Sequence, residues 1–332
     1  MCAASDRKDR LRRLNLCQYR FDYRPFSRCL LATTALTLSA GVAAAEVSVS
    51  AGAEMGITTN NAANEAAFHT GTTLSFKGSA ETDNGITFGF SSRLDSDKSD
   101  SNAFNGWDSE TGYIKGAFGT LTMGDTDGAF DRVMGELDFI ASITDDHSTH
   151  AGFNGNSGLD GDEDDQVLRY DYSFGAFAIA ASLEQDDNGA SDDDIMGLGV
   201  KYTGDMAGLS LTVGVGYQTQ DNSANVTGLS LGLDMGNGLE AGLNYSTLSD
   251  EGIGGGDVTH TGVGVAYSMD AWAFTANYGQ FDRDAAADSD GFGVAVNYDL
   301  GGGAVVQFGY GTGEVDGSDS VDSYSLGVAM SF

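Results

Sequence analysis

The sequence has little proline, few cations and almost no cysteine. Its 332 residues include 1 Pro, 3 Cys and 16 Lys plus Arg, against 49 Asp plus Glu. All three cysteines (Cys2, Cys17 and Cys29) precede residue 30, so the rest of the chain can form no disulfide, thiolate metal site or cysteine nucleophile. Nucleic acid is excluded as a partner, because a formal charge of −33 repels phosphate.

Long hydrophobic runs are also missing, and no segment reaches the roughly 20 apolar residues of a spanning helix. One short apolar stretch, 29–38, follows eight cations and precedes Val42-Ala43-Ala44-Ala45. This order predicts an export signal over residues 1–45, cut after Ala45, and a mature domain over 46–332. The alternative is a cytosolic N-terminal arm. The long basic region indicates a translation start downstream of Met1.

The mature part contains a two-residue alternation of apolar and polar side chains. In 209–217 the odd positions are large and apolar, whereas 210, 212, 214 and 216 are Ser, Thr or Gly. Such runs of about ten residues have the length of a strand in an outer-membrane barrel. Sixteen strands are predicted, at 46–58, 68–80, 85–95, 110–117, 120–125, 166–174, 177–185, 194–203, 208–219, 224–235, 239–248, 258–269, 272–282, 290–299, 304–314 and 321–332.

The connections between these runs alternate in length. Short turns such as 204–207 are followed by longer acidic loops such as 95–110, and aromatic residues recur near the run ends. Short turns on one side, long loops on the other and aromatic girdles are typical of bacterial transmembrane barrels. We therefore predict an all-β fold, a 16-stranded antiparallel transmembrane β-barrel wide enough for a water-filled interior. A soluble β-sandwich or solenoid is the alternative.

One connection, between residues 125 and 166, is far longer than the others. Its apolar residues have the spacing of a short helical turn, which predicts packing rather than disorder. We expect this third loop to fold into the barrel and narrow the pore. The apolar set is Phe130, Val133, Met134, Leu137, Phe139 and Ile140, and the acidic set is Asp125, Asp127, Asp131, Glu136, Asp138, Asp145 and Asp146.

The hairpin 117–125, the acidic third loop and the terminal Phe332 resemble those of general diffusion porins, and are most similar to Rhodobacter-type porins of alphaproteobacteria. The resemblance covers 46–332. It implies an outer-membrane homotrimer for passive diffusion of small hydrophilic solutes, with loop acids opposite basic wall residues. It further implies that Phe332 is read by the barrel-insertion machinery, and that the protein contacts lipid and, through divalent ions, lipopolysaccharide.

The parity of the alternation places five cations on the inner face. A cation on the lipid face near mid-depth would cost about 2–4 kcal/mol, which explains the preference. They are fewer than the arginine cluster expected of such porins, and they also fit simple solvation in a wide interior. Since removal of 1–45 takes away eight of the 16 cations and three of the 49 acids, the mature charge is −38, and cation preference is predicted. The five are Lys77, Arg93, Lys115, Arg169 and Lys201.

Other functions are less well supported by the sequence. His147 and His150 lie near loop acids but in no hydrolase or zinc motif, so we expect no enzyme and no cofactor. A solute-specific channel and a plugged structural or adhesive barrel remain alternatives, and an outer-membrane barrel hydrolase is a less favoured one. Clustered carboxylates supply the oxygen ligands that calcium prefers, although solvated loops explain them as well. This candidate calcium site comprises Asp160, Asp162, Asp164 and Asp165.

Overall fold

A computed structural model describes residues 45–60, 65–97, 106–144, 150–161, 166–185, 194–221, 223–250 and 256–332. Within these ranges the chain forms sixteen strands and one helical turn, α1 (Ala129–Val133). The export signal predicted over 1–45 lies outside them except for Ala45. The strands are β1 Glu46–Asn60, β2 Glu65–Glu81, β3 Thr87–Asp97, β4 Gly106–Gly116, β5 Gly119–Gly124, β6 Val167–Phe174, β7 Phe177–Glu184, β8 Ile195–Met206, β9 Leu209–Gln220, β10 Ala224–Asp234, β11 Leu239–Asp250, β12 Val258–Met269, β13 Trp272–Arg283, β14 Ser289–Gly301, β15 Ala304–Val315 and β16 Val321–Ser331.

The sheet closes on itself, because β1 pairs antiparallel with β16 and every other strand pairs with its sequence neighbours. At the closing edge the Phe332 N–H donates to the Ala51 carbonyl at 2.8 Å, and the Ala51 N–H donates to the Phe332 carbonyl at 3.1 Å. Closure leaves no unpaired strand edge, as a membrane interior requires. All sixteen predicted strands are confirmed, with ends displaced by at most four residues.

The two faces of the barrel differ in side-chain size. On β8, Leu198 and Val200 are 62% and 46% exposed, whereas the alternate positions are Gly197 and Gly199. A soluble sandwich would bury such large apolar side chains, so their exposure around a closed sheet indicates a lipid-facing surface. No helix among the described residues is long and apolar enough to cross a membrane.

Aromatic rings gather on the outer face near the short turns. The Phe174 and Phe177 rings are 5.7 Å apart, the Phe177 and Tyr202 rings 5.1 Å, and the Trp272 and Tyr298 rings 4.6 Å. Amphipathic rings at this height are typical of the membrane–water interface. The turn between β14 and β15 has three consecutive glycines, 301–303, with φ of 79°, 68° and 88°, a conformation that other residues rarely adopt.

Candidate functional site

The segment between β5 and β6 packs on the small-residue face of the sheet. Phe130 of α1 is 1% exposed and lies against Gly216 and Gly228; a Cβ at either glycine would come within 2.7 Å of its ring. Glycine is therefore required at both wall positions, because a side chain would displace the ring. The predicted helical turn is confirmed, and so is the burial of its apolar residues Phe130 and Val133.

Wall and loop groups satisfy the first backbone N–H groups of α1. The Gly128 N–H donates to Asp160 Oδ2 at 2.7 Å, and the Ala129 N–H donates to Ser182 Oγ of β7 at 2.8 Å. Gln218 Nε2 of β9 donates to the other oxygen of Asp160 at 2.5 Å. The start and the end of the loop are thus held to each other and to the wall.

Beyond α1 the loop follows the inner wall through three asparagine side chains. Asn244 on β11 donates to the Gly135 carbonyl at 2.6 Å, Asn277 on β13 to the Leu137 carbonyl at 3.4 Å, and Asn297 on β14 to the Ala141 carbonyl at 3.0 Å. These amides satisfy backbone carbonyls that have no strand partner. All three asparagines alternate with exposed apolar residues, so the loop lies on the face opposite the lipid-facing one.

The first pass of the loop, residues 125–144, ends against β1 and β16, the strands that close the barrel. Ile143 is fully buried, and a Cβ at Gly327 of β16 would lie 2.9 Å from its Cγ1. The next residue, Thr144, donates its N–H to Glu54 Oε1 of β1 at 3.3 Å. Glu54 Oε1 is also 2.5 Å from His69 Nε2 on β2. The loop therefore contacts both sides of the β1–β16 pairing.

A second pass, residues 150–161, returns along the same wall. His150 Nε2 is 2.9 Å from Asn277 Oδ1, and Ser289 Oγ donates to the Ala151 carbonyl at 2.8 Å. The Leu159 N–H donates to Gln218 Oε1 at 2.8 Å. Burial is the main cause that lowers the pKa of His150 to about 4, despite the opposing hydrogen bond from Asn277. His150 is therefore neutral at pH 7.

The predicted acidic residues that the structure describes lie within 125–144, the first pass of the loop. Asp125 Oδ2 accepts the Ser109 N–H at 3.0 Å, at the point where the loop leaves β5. Asp131 lies on α1, and Glu136 and Asp138 follow it; all three are half-buried. Asp127 is also half-buried, and Asp145 and Asp146 lie outside the described residues.

Three of the predicted basic residues line the arc β2–β4. Lys77 pairs in register with Ser48, on the face opposite the exposed Val49. Lys115 near the end of β4 is exposed. Arg93 Nε lies 2.5 Å from Asp95 Oδ2, so its charge is paired on the same strand.

The other two predicted basic residues lie beneath the loop and bind it. The Arg169 side chain on β6 is 8% exposed; its Nη1 donates to Thr126 Oγ1 at 3.2 Å and to the Asp127 carbonyl. Lys201 Nζ on β8 donates to the Arg132 carbonyl at 3.0 Å. Both cations therefore hold the loop to the wall by backbone oxygens.

Sequence reasoning missed two charged residues of this region, Arg132 on α1 and Asp171 on β6. Arg132 Nε is 3.2 Å from Asp171 Oδ1. The available signal was the spacing of Arg169 and Asp171, which two-residue alternation places on the same face. Arg132 carried no such signal, because its partner is distant in sequence.

Only Asp160 of the four residues of the candidate calcium site lies in the part of the chain that the structure describes. Both oxygens of Asp160 accept N–H donors, and no group of three or more potential metal ligands occurs among the described residues. The other three carboxylates, Asp162, Asp164 and Asp165, lie outside those residues. The calcium site stays a prediction.

Comparisons with known proteins agree with this geometry. A family described as Gram-negative porin matches residues 32–318. The porin of Rhodobacter capsulatus is 30% identical over 316 residues, covering 86% of this chain and all of that protein.

Solved structures show the same fold. A refined porin structure superposes with a TM-score of 0.68 at 24% identity, and an engineered triple mutant of Rhodopseudomonas blastica porin with a TM-score of 0.66 at 19% identity. In both cases 86% of this chain and all of the other chain are covered. The chain belongs to the Gram-negative porin family and forms a channel in the outer membrane.

Proposed function

We propose that this porin lets small hydrophilic solutes diffuse through a pore narrowed by the loop between β5 and β6, and that it prefers cations to anions. The supporting observation is that acids far outnumber cations, and that two of the wall cations are paired or covered while Lys77 and Lys115 are exposed. Arg93 is bound to Asp95, and Arg169 is buried beneath the loop. A chain in which acids so outnumber cations has a negative interior potential, which concentrates cations and repels anions.

Passive diffusion is favoured over binding of a specific solute. The inner-face positions of the wall strands are mainly Gly, Ser, Thr and Asn, as in the sequence of β9 and β10. A sugar-specific channel would need a row of aromatic side chains along the pore. We expect permeation rates of neutral solutes to fall smoothly with size, and saturation by one sugar would favour the specific channel.

A planar-bilayer measurement tests the ion preference. In a KCl gradient the reversal potential should have the sign of a cation-selective pore, and an anion-selective sign would contradict the proposal. A silent membrane would favour the plugged structural or adhesive barrel. We also propose that the protein is no hydrolase; lipase or protease activity that is lost on His147→Ala would contradict this.

We further propose that three copies associate through the arc β5–β7. These strands have only 6, 8 and 8 residues, against 11 to 17 for the others described. At about 3.3 Å per residue and a tilt near 45°, six residues rise only about 14 Å, less than the ~25 Å apolar band. A neighbouring copy packed against β5–β7 would cover these short strands, which do not match the thickness of the lipid apolar band. Sedimentation in mild detergent should give a trimer, and a monomer at every concentration would contradict it.

Three remaining roles concern export, assembly and the membrane. An export signal that ends at Ala45 predicts Glu46 as the first residue of the purified protein, which N-terminal sequencing tests.

Phe332 is 62% exposed at the edge where β16 pairs with β1, where the barrel-insertion machinery can bind it, so Phe332→Ala should slow assembly. Divalent ions between loop carboxylates and lipopolysaccharide should be removed by a chelator, with loss of co-purifying lipopolysaccharide.

A further inference from the structure

One carboxylate joins the loop to the wall where α1 meets β6. Asp171 Oδ1 lies 3.2 Å from Arg132 Nε of the loop, and Asp171 Oδ2 lies 2.9 Å from Arg169 Nε of the same strand. A wall acid therefore bridges a loop guanidinium and a wall guanidinium. This polarity is the reverse of the acidic loop and basic wall that the sequence led us to expect.

The two guanidinium groups differ in their access to the pore. The Arg169 side chain is 8% exposed and is covered by the loop, whereas that of Arg132 is 53% exposed. Passing ions therefore meet Arg132 and not Arg169. Asp171, 23% exposed, is the counter-charge of Arg132.

Two further cations surround this group. Lys201 Nζ donates to the Arg132 carbonyl at 3.0 Å. Lys115 pairs in register with Thr120, which pairs with Asp171, so Lys115 and Asp171 are two strands or about 10 Å apart. Charges within about 10 Å interact at 0.1 M salt. Asp171 thus lies among positive charges on the inner wall.

We propose that Asp171 determines ion selectivity by neutralising Arg132 on the pore-facing side of α1. With Asp171 ionised, this ion pair adds no net positive charge to the passage beside α1, so Arg132 does not repel cations there. The inference rests on the proposed function, because it names a residue on which the cation preference depends.

Paired charge substitutions test this role. In Asp171→Asn the shape and one acceptor oxygen remain while the charge is lost, so the K+/Cl− permeability ratio should fall. A unit charge about 5 Å from the ion path changes the occupancy of each ion about twofold in salt water. Arg132→Gln should raise the ratio, and the double variant should return towards the wild-type value.

Opposite shifts distinguish charge from positioning. If Asp171 only anchored α1, both single variants would loosen the same contact and move conductance and selectivity in the same direction. Such parallel shifts, or an unchanged ratio in Asp171→Asn, would overturn the inference. If Asp171→Asn does not assemble, Asp171→Ser takes its place: a lower K+/Cl− permeability ratio supports the inference, and an unchanged or higher ratio overturns it.

A matched control carries the same charge change elsewhere on the inner wall. Asp171 pairs in register with Ala180 of β7, which pairs with Gly199 of β8. Asp205 lies on the same face of β8, six residues or about 20 Å beyond Gly199. Asp205→Asn should leave the K+/Cl− permeability ratio close to the wild-type value. An anion-selective wild type would overturn the proposed function, whereas the role of Asp171 is judged only by the direction of the two shifts.

Discussion

Phe130→Ala is the most direct test of how the loop is held inside the barrel. The Phe130 ring is 1% exposed and belongs to a cluster formed by loop and wall residues together. Replacing it with alanine removes the ring and leaves a cavity against Gly216 and Gly228. The cluster comprises Phe130, Met134, Leu159, Ile195, Ala224 and Val226.

The expected cost follows from this burial. A fully buried phenylalanine changed to alanine loses about 3–5 kcal/mol. Since about 1.4 kcal/mol is a factor of ten, the ratio of docked to undocked loop should fall roughly a hundredfold to several thousandfold. The loss falls on loop–wall contacts, because Phe130 lies in α1 and contributes no hydrogen bond to a strand pair. The barrel itself should stay closed.

Two measurements on the purified protein follow the loop. Limited proteolysis should cut Phe130→Ala within 125–161 at a lower protease concentration than wild type, and single-channel currents should become larger and noisier. The heat needed to unfold the barrel on a gel should change little. Phe308→Ala is the control, because Phe308 is 38% exposed on the outer face of β15. Wild-type protease resistance in Phe130→Ala would refute the reasoning.

Three further predictions concern pH, closure and metal. Burial lowers the pKa of His150 to about 4, so neutral His150 stabilises the docked segment 150–161 fully above pH 6.5; this stabilisation falls below pH 6.5 and is lost as the pH falls through 4. Channel noise should therefore rise between pH 6.5 and pH 4. The same rise in His150→Gln would contradict this. A Cβ at Gly56 would meet the Leu326 carbonyl at 2.6 Å, so Gly56→Val should reduce the yield of folded barrel on a heat-modifiability gel, whereas Gly232→Ala, with nothing nearer than 3.8 Å, should not. If calcium binds near Asp160, a chelator should increase cleavage of the loop; equal cleavage with and without it would count against the site.

The strands could be predicted from sequence because the information that determines them is local. Each hairpin joins neighbours, so alternation and turn length determine register without distant contacts. The predicted barrel requires its first and last strands to pair, and β16 does pair with β1. Glycine at 216 or 228 only signalled a small inner face; nothing local showed that a phenylalanine ring would occupy the space.

The loop contacts could not be predicted in the same way. Asn297 and Ala141 are 156 residues apart, and Asn277 and Leu137 are 140 apart. Their partnership depends on the diameter of the closed barrel and on the direction of the loop, which no short pattern contains. For this reason Arg169 and Lys201 were expected to face the loop across the pore, whereas they bind its backbone from beneath.

The contacts of Ile143 and Thr144 also bear on how the barrel is assembled. Among the described strands, β1 and β16 are the paired strands farthest apart in sequence, so their pairing has the largest loop-closure entropy. The tip of the first pass touches Gly327 on one side of this seam and Glu54 on the other. The loop therefore contacts both β1 and β16 and stabilises their pairing once the barrel has closed. Shortening the loop to widen the pore would therefore also remove contacts that hold the first and last strands together.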